Sequence, residues 1–221
     1  MRNLAMLLQM ASPALPVGAF AYSQGIERAV DDGLIRNAEE AKRWILDVLE
    51  GPMAHWEAPV WLRIHRAIRA GDHAMVVQWN EHFVASRETS ELRAETLQMG
   101  ASLAAWACEL GLQAGATLRM VPGLSFTAGF AACAAAAGIY ENEGILAYVW
   151  SWIENQVTAA IKAVPLGQMA AQRLLLSAHV PVGDAVATAL RLDDDALCSA
   201  APGLSLTCAR HETQYSRLFR S

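Results

Sequence analysis

The chain has 221 residues and a formal net charge of −5, with 54% hydrophobic and 18% charged residues. This composition excludes an intrinsically disordered chain, and the acidic balance excludes the basic footprint of a nucleic-acid-binding protein. The length predicts one domain, or at most two, with a large core. So much apolar surface also favours self-association or a protein partner, because one monomer does not easily hide it.

Clear start and stop signals divide the chain into helical segments. Asn37 followed by Glu40 is a capping-box pattern, in which Asn37 caps a helix and Glu40 reaches back to it. Residues 31–33 (DDG) and 51–52 (GP) are predicted to end helices, and residues 71–72 (GD) to end one and begin the next.

Apolar side chains recur at helical spacing between these signals, and no useful alternating pattern indicates a strand. The predicted helices cover residues 4–10, 23–30, 38–50, 55–68, 72–85, 86–110, 125–137, 142–163, 168–178 and 182–192, with a short one at 194–198. We therefore expect an all-α fold, a single-domain bundle of roughly nine or ten helices that spans residues 1–221.

The break after the first helix, residues 11–27 (ASPALPVGAFAYSQGIE), is the most unusual segment of this part. Pro13 and Pro16 forbid a continuous helix because proline lacks an N–H group and disfavours the α region for its predecessor. Gly18 permits a sharp turn. Two interpretations stay open: a buried crossing loop, or a segment held against a partner.

Residues 86–110 predict a long helix in which one stripe is buried. The stripe consists of Leu92, Met99, Leu103, Trp106 and Leu110. Glu88, Glu91 and Glu95 fall on a neighbouring face, which we expect to be solvated. Arg87 and Glu91 are spaced as an i,i+4 pair, which contributes only ~0.2–0.5 kcal/mol when exposed.

The segment from residue 96 to residue 172 has only six charged side chains and is expected to form most of the core. Residues 120–140 carry no charge, but they are mostly small residues with a proline and suit close packing better than a membrane span. The apolar start of the chain resembles a short signal peptide, but polar residues and prolines interrupt it. We therefore expect a cytoplasmic protein without a membrane anchor.

Residues 209–221 (ARHETQYSRLFRS) form the second unusual segment. Read as a helix, the segment places Tyr215, Leu218 and Phe219 on one face, and Arg217 flanks that face. Burying these side chains yields ~1.5–3 kcal/mol each, whereas ordering each residue costs ~1–2 kcal/mol. The segment thus needs a docking surface, either on its own domain or on a partner.

Catalytic and metal-binding patterns are missing from the sequence. Four scattered cysteines without a C-x-x-C pair predict reduced, mostly buried thiols. Six histidines without chelating spacing make a metal site within one chain improbable, although a site shared across a symmetric interface stays open. Ser216 near His211 is not credible as a catalytic pair, because a mobile segment does not preorganise one.

A functional role is considered for three cationic side chains, Lys162, Arg87 and Arg217. Lys162, one of only two lysines, is either a cation that complements the end of its helix or a charge contact to a partner. Arg87 or Arg217 is a candidate arginine finger for a partner GTPase.

Four segments together resemble the UreF family of urease accessory proteins. They are LLQMASPALPVGAFAYSQGIE (7–27), SRETSELRAETLQMG (86–100), YVWSWIENQVTAAIKAVPLGQ (148–168) and APGLSLTCARHETQYSRLFRS (201–221). The segments occur in the order and spacing of that family across nearly the whole chain.

This resemblance implies a dimeric, non-enzymatic, all-α protein that helps to deliver nickel to apo-urease. It implies docking on a UreD/UreH-type scaffold and recruitment of the GTPase UreG. The GTPase would carry nickel and GTP, so the chain itself would need no cofactor and no metal.

The resemblance also assigns partner-facing roles to an N-terminal segment, residues 1–27, and to a docking tail, residues 203–221. In the N-terminal motif it implicates Tyr22, Ser23 and Glu27. Lys162 aligns with a lysine implicated in the link to the GTPase, and Arg217 is the arginine of YSRLF, which is linked to assembly of the GTPase complex. The apolar side chains expected to act with Arg217 in the tail are Tyr215, Leu218 and Phe219.

Three hypotheses follow for the function. The first is an adaptor that docks on the scaffold through the tail and holds the GTPase through residues 11–27. The alternative is a regulator of the partner's GTP hydrolysis, and the third is direct nickel binding by this chain, which the missing ligand spacing makes unlikely.

Overall fold

The computed structural model describes residues 2–221, which form α-helices joined by loops and turns. The helices are α1 (Arg2–Ala11), α2 (Ile26–Asp31), α3 (Ala38–Val48), α4 (Ala58–Ala70), α5 (His73–Ala85), α6 (Ser90–Glu109), α7 (Gly115–Met120), α8 (Phe126–Ala136), α9 (Glu141–Ala163), α10 (Gln168–Ser177), α11 (His179–Arg191) and α12 (Pro202–His211). Ten of these have ten or more residues, and residues 2–221 contain no strand. The predicted all-α, single-domain bundle is confirmed.

Helix α8 lies inside the core, because it consists of small and apolar residues without a charge. Its residues 127–135 are all buried, and α4 and α6 pack against it. The approach of α6 requires a glycine: a Cβ atom at Gly100 would lie 2.1 Å from the Leu124 carbonyl oxygen, just before α8. The uncharged segment therefore forms core as expected.

Helix starts follow the capping residues in the sequence. The Asn37 side chain accepts a hydrogen bond from the Glu40 N–H at 3.0 Å, as predicted. The Glu40 carboxylate, however, accepts from the Arg36 N–H at 2.8 Å rather than from Asn37. Thr89 accepts from the Leu92 N–H at 3.1 Å, so α6 begins at residue 90 and the prediction of a start at residue 86 is wrong.

The predicted helix end at residues 51–52 is confirmed. Gly51 has a non-helical conformation (φ −87, ψ −110), so the helical segments before and after it meet at a kink. Gly51 and Pro52 bend the chain here, and residues 52–57 lead into α4. The bend brings Glu57, the residue before α4, into the interior, where it contributes to the candidate site.

Residues 120–140 are divided between the end of α7, a loop and α8. In the described part of the chain, residues 2–221, no helix combines the length and the apolar character that a membrane crossing requires.

Candidate functional site

The tail, residues 203–221, changes structure halfway. Helix α12 ends at His211, and residues 212–221 continue as irregular chain. The helical arrangement considered for residues 209–221 is therefore not adopted beyond His211. As a result Phe219 is buried, whereas Tyr215 and Leu218 are exposed, so these three side chains do not share one face.

The end of the tail packs against its own chain. The Arg220 N–H donates to the Ala21 carbonyl oxygen, and the Ser23 N–H donates to the Ser221 carbonyl oxygen, both at 2.8 Å. The Ser23 hydroxyl donates to the same Ser221 oxygen at 2.6 Å. In this structure the tail docks on its own domain, which is one of the two surfaces considered for it. The N-terminal segment forms that docking surface.

The turn before α2 makes this contact possible. Gln24 (φ 49) and Gly25 (φ 85) adopt left-handed conformations, so α2 begins at Ile26 and the prediction of a helix from residue 23 is wrong. A Cβ atom at Gly25 would lie 3.1 Å from Cys208 Sγ of α12. Glycine therefore allows α12 to approach the N-terminal motif closely.

Glu27 binds the tail through its carboxylate. One oxygen accepts from the Leu218 N–H at 2.5 Å, and the other accepts from the Phe219 N–H at 2.9 Å. These backbone groups would otherwise lack partners, because no helix satisfies them here. Glu27 thus replaces the hydrogen bonds that a tail helix would have made.

His211 lies fully buried between two carboxylates. Its Nδ1 atom lies 2.6 Å from a Glu91 oxygen, and its Nε2 atom lies 3.2 Å from a Glu27 oxygen. Both nitrogens can donate to these oxygens only in the doubly protonated imidazolium. The second Glu91 oxygen accepts from Arg217 Nη1 at 2.5 Å. The predicted pairing of Glu91 with Arg87 is therefore wrong.

Glu95 is buried, so the expected solvated position is wrong. Its oxygens accept from Gln24 Nε2 at 2.7 Å and from the Ser221 hydroxyl at 2.6 Å. Gln24 in turn accepts from the Trp152 indole N–H at 2.7 Å. Burial raises the pKa of Glu95 to about 7, although the two hydrogen bonds favour the charged form.

Arg87 lies in the interior with Glu57, and their ion pair measures 2.8 Å. The Tyr148 hydroxyl donates to Glu57 at 3.2 Å, and burial raises the pKa of Tyr148 well above its usual value. The Arg87 guanidinium also lies 4.3 Å from the centre of the Phe83 ring. Together with Glu95, these polar groups line a cavity of about 100 Å³.

Lys162 connects the loop to the tail. Its Nζ atom lies 5.7 Å from the centre of the Phe20 ring and 5.6 Å from that of Phe219, and it donates to the Phe20 carbonyl oxygen at 3.4 Å. Lys162 is exposed and lies in the last turn of α9. The interpretation as a helix-end cation therefore fits its position, and a charge contact to a partner also stays available.

The structure brings the predicted site residues of the two segments together. Tyr22 and Ser23 are buried, and the Tyr22 hydroxyl donates to Gln98 at 2.6 Å. Sequence reasoning missed Gln24, Glu95 and His211. A signal for Glu95 existed, because it lies three residues after Leu92 and four before Met99, beside the buried stripe.

Metal binding has little support in this region. Across the described residues, 2–221, no three side chains of His, Cys, Asp or Glu are grouped so that they could hold an ion. Hydrogen bonds and ion pairs within the chain occupy the carboxylates of Glu27 and Glu91. The arrangement can therefore hold the tail in place.

Known proteins are similar to this chain over nearly its whole length. A family model described as UreF matches residues 35–179. The chain is 50% identical to the urease accessory protein UreF of Cupriavidus metallidurans, across 97% of this chain and 96% of that protein. It is 50% identical to the same-named protein of an Azoarcus species (97% and 94% covered). It is 47% identical to that of Cupriavidus necator (100% and 99% covered).

Proposed function

Because this chain belongs to the UreF family of urease accessory proteins, we propose that it serves urease maturation as an adaptor and catalyses no reaction. In this proposal it docks on a UreD/UreH-type scaffold and recruits a UreG-type GTPase to apo-urease. Nickel and GTP travel with the GTPase, so the adaptor needs neither a cofactor nor a metal of its own.

One observation carries the proposal: apolar side chains are exposed on the N-terminal loop and on the tail, where hydrogen bonds fix the backbone of residues 218–221. Phe20, Tyr215 and Leu218 are 65%, 104% and 64% exposed. Lys162 lies beside Phe20, and Arg217 directly precedes Leu218 in the tail. We call these five residues the partner surface. Aromatic and arginine side chains on an ordered backbone are typical binding hot spots, because little entropy is lost when they are covered.

The buried site residues hold the backbone that carries the partner surface. Glu27 fixes the backbone of residues 218 and 219, and Ser23 fixes residue 221. Tyr22 is held by Gln98 and by Asn155, whose side chain donates to its carbonyl oxygen at 3.2 Å. We therefore assign Tyr22, Ser23, Glu27 and Phe219 to preorganisation, and the partner surface to direct contact.

A binding measurement tests the scaffold contact. We expect Tyr215→Ala combined with Leu218→Ala to raise the dissociation constant for the scaffold by about 30-fold or more, since one hot spot contributes about 2 kcal/mol or more. Both side chains are exposed, so the folded monomer should be unaffected. Isothermal titration calorimetry with purified scaffold measures the change.

Tyr140→Ala is the matched control. Tyr140 is also an exposed tyrosine, but it precedes α9, whereas Lys162 lies at the other end of this 23-residue helix, roughly 30 Å away. Scaffold affinity that is unchanged in the double variant, or lowered equally by Tyr140→Ala, would contradict the assigned surface.

We propose a homodimer that forms through a second apolar face. Leu4, Leu8, Leu146 and Val180 are 46–72% exposed on α1, α9 and α11, and a groove of about 430 Å³ lies between these helices. A continuous apolar patch of this kind on a charge-poor chain favours burial against an identical copy, since a two-fold axis places the same patch on both sides.

Leu146→Asp tests this face. We expect the variant to sediment as a monomer at concentrations where the wild type is a dimer, because one carboxylate from each copy would be buried in the interface. Met120→Asp places the same charge on an exposed methionine at the end of α7 and should leave the dimer intact. A dimeric Leu146→Asp variant would place the interface elsewhere.

The alternative function, regulation of the partner's GTP hydrolysis, keeps one candidate residue. Arg87 is enclosed by Glu57 and Phe83 and cannot reach another protein from there. Arg217 is 40% exposed on the partner surface. Unchanged hydrolysis by the GTPase with Arg217→Ala would reject an arginine finger.

A further inference from the structure

Glu95 joins three parts of the chain that lie far apart in sequence. It belongs to α6, it accepts from Gln24 in the N-terminal motif, and it accepts from Ser221 in the tail. Gln24 extends this chain of hydrogen bonds to Trp152 of α9. The tail therefore lies directly against this carboxyl group.

We propose that Glu95 is a positioning residue for the tail, and that a proton on its carboxyl group sets how firmly the tail is held. The neutral carboxylic acid tolerates burial under the tail. The carboxylate gains hydration when the tail leaves, so ionisation favours the undocked tail.

Charged and titratable neighbours surround Glu95 without neutralising it. Arg87 acts on it from the loop before α6, but Arg87 is already paired with Glu57, which acts in the opposite direction. Tyr22 of the loop and Cys208 of α12 also face Glu95. Among the described groups no cation is hydrogen-bonded to Glu95, so burial dominates.

The linkage between protonation of Glu95 and docking decides whether docking of the tail weakens or strengthens as the pH rises. With the tail docked, burial raises the pKa of Glu95 from 4.5 to about 7, and a hydrated carboxyl group returns to its ordinary value. An acid whose pKa is raised in the docked state stabilises docking below its ordinary pKa, and this stabilisation is lost as the pH rises through about 7. The docking constant should therefore fall about tenfold between pH 6 and pH 8.

Hydrogen exchange of the isolated full-length chain tests the proposal. The amides of residues 218–220, which donate to Glu27 and to the Ala21 carbonyl oxygen, are followed at pH 6 and pH 8, each corrected for intrinsic exchange rates. We expect protection of the wild type to fall about tenfold. In Glu95→Gln the protection should be high and equal at both pH values, because glutamine keeps the shape without a titratable group.

Glu39→Gln on the exposed face of α3 is the control and should keep the tenfold fall. Equal protection of the wild type at both pH values would overturn the proposal. A fall that persists in Glu95→Gln would also overturn it, because the pH dependence would then come from another group.

A carboxyl carbon-13 titration of Glu95 gives a second, direct measurement. We expect a midpoint near 7 in the wild type and a lower midpoint in full-length Phe219→Ala, because linkage is reciprocal and a loosened tail must lower the pKa. An identical midpoint in both chains would contradict the coupling.

The consequence for partners rests on the proposed function. If the scaffold binds the docked tail, its affinity should be higher at pH 6 than at pH 8 in the wild type and independent of pH in Glu95→Gln. Tail protection that changes with pH while scaffold binding is absent would retain the proton coupling and reject the adaptor role.

Discussion

Replacing Glu27 by alanine should release the tail and lower the free energy of unfolding by about 3 kcal/mol. The change removes the acceptors of two backbone N–H groups and one of the two carboxylates beside the buried His211. Leaving a buried charge or donor without its partner costs about 1–3 kcal/mol for each hydrogen bond and about 3–5 kcal/mol for an ion pair. Release of the tail into water limits the total loss.

Urea denaturation and limited trypsin digestion measure the effect. Cleavage after Arg217 should become rapid in Glu27→Ala, because residues 217–219 lose their backbone anchor. Glu39→Ala removes an exposed carboxylate from α3 and should change the free energy of unfolding by no more than about 0.5 kcal/mol. A Glu27→Ala tail as resistant as that of the wild type would show that apolar contacts alone hold it.

Arg87→Met is expected to have the second large effect, a loss of about 3–5 kcal/mol. The methionine removes the only ion-pair partner of Glu57 that the described residues provide, while both side chains are nearly enclosed (13% and 12% exposed). An unpaired interior carboxylate is far more costly than the absence of the pair. The free energy of unfolding should therefore recover in part when Glu57→Gln is added.

A double-mutant cycle measures this coupling. We expect an interaction energy of about 1–3 kcal/mol between the two positions, from urea denaturation of the four chains at pH 7. Additive effects of Arg87→Met and Glu57→Gln would mean that the pair contributes nothing. The same preparations allow a test with the partner GTPase, whose hydrolysis rate should not depend on Arg87 in chains that are still folded.

Local signals in the sequence predicted most of the fold. Apolar spacing and capping residues such as Asn37 located the helices, because neighbouring residues decide where a helix begins. One helix start was misplaced although its signal is local: Thr89 caps α6, which begins at Ser90 rather than at residue 86.

Non-local partners explain why the site could be predicted only in part. The i,i+4 spacing favoured a contact between Arg87 and Glu91, but Arg87 binds Glu57 and Glu91 binds His211 and Arg217. These partners are 30, 120 and 126 residues away in sequence. The resemblance to the UreF family identified both segments of the site, whereas their direct contact required the structure.

The conformation of the tail also depends on residues that are distant in sequence. Its apolar spacing favours a helix, but the energy balance of such a short segment lies near zero, so the docking surface decides its conformation. Glu27 accepts hydrogen bonds from the backbone N–H groups of residues 218 and 219. These hydrogen bonds stabilise the irregular conformation more than helix propensity stabilises a helix. Nothing in the local sequence of the tail indicates that acceptor.

The pairing of Ser23 with Ser221 has a consequence for biosynthesis. When residues 1–210 have been translated, the sequence of every helix is present except for His211, the last residue of α12. The N-terminal motif still lacks His211, Phe219 and Ser221, which cover it. The contacts that hold residues 218–221 against the N-terminal motif therefore form only after residue 221 has left the exit tunnel. On the proposed function, a nascent chain that lacks these contacts would not yet present an ordered partner surface.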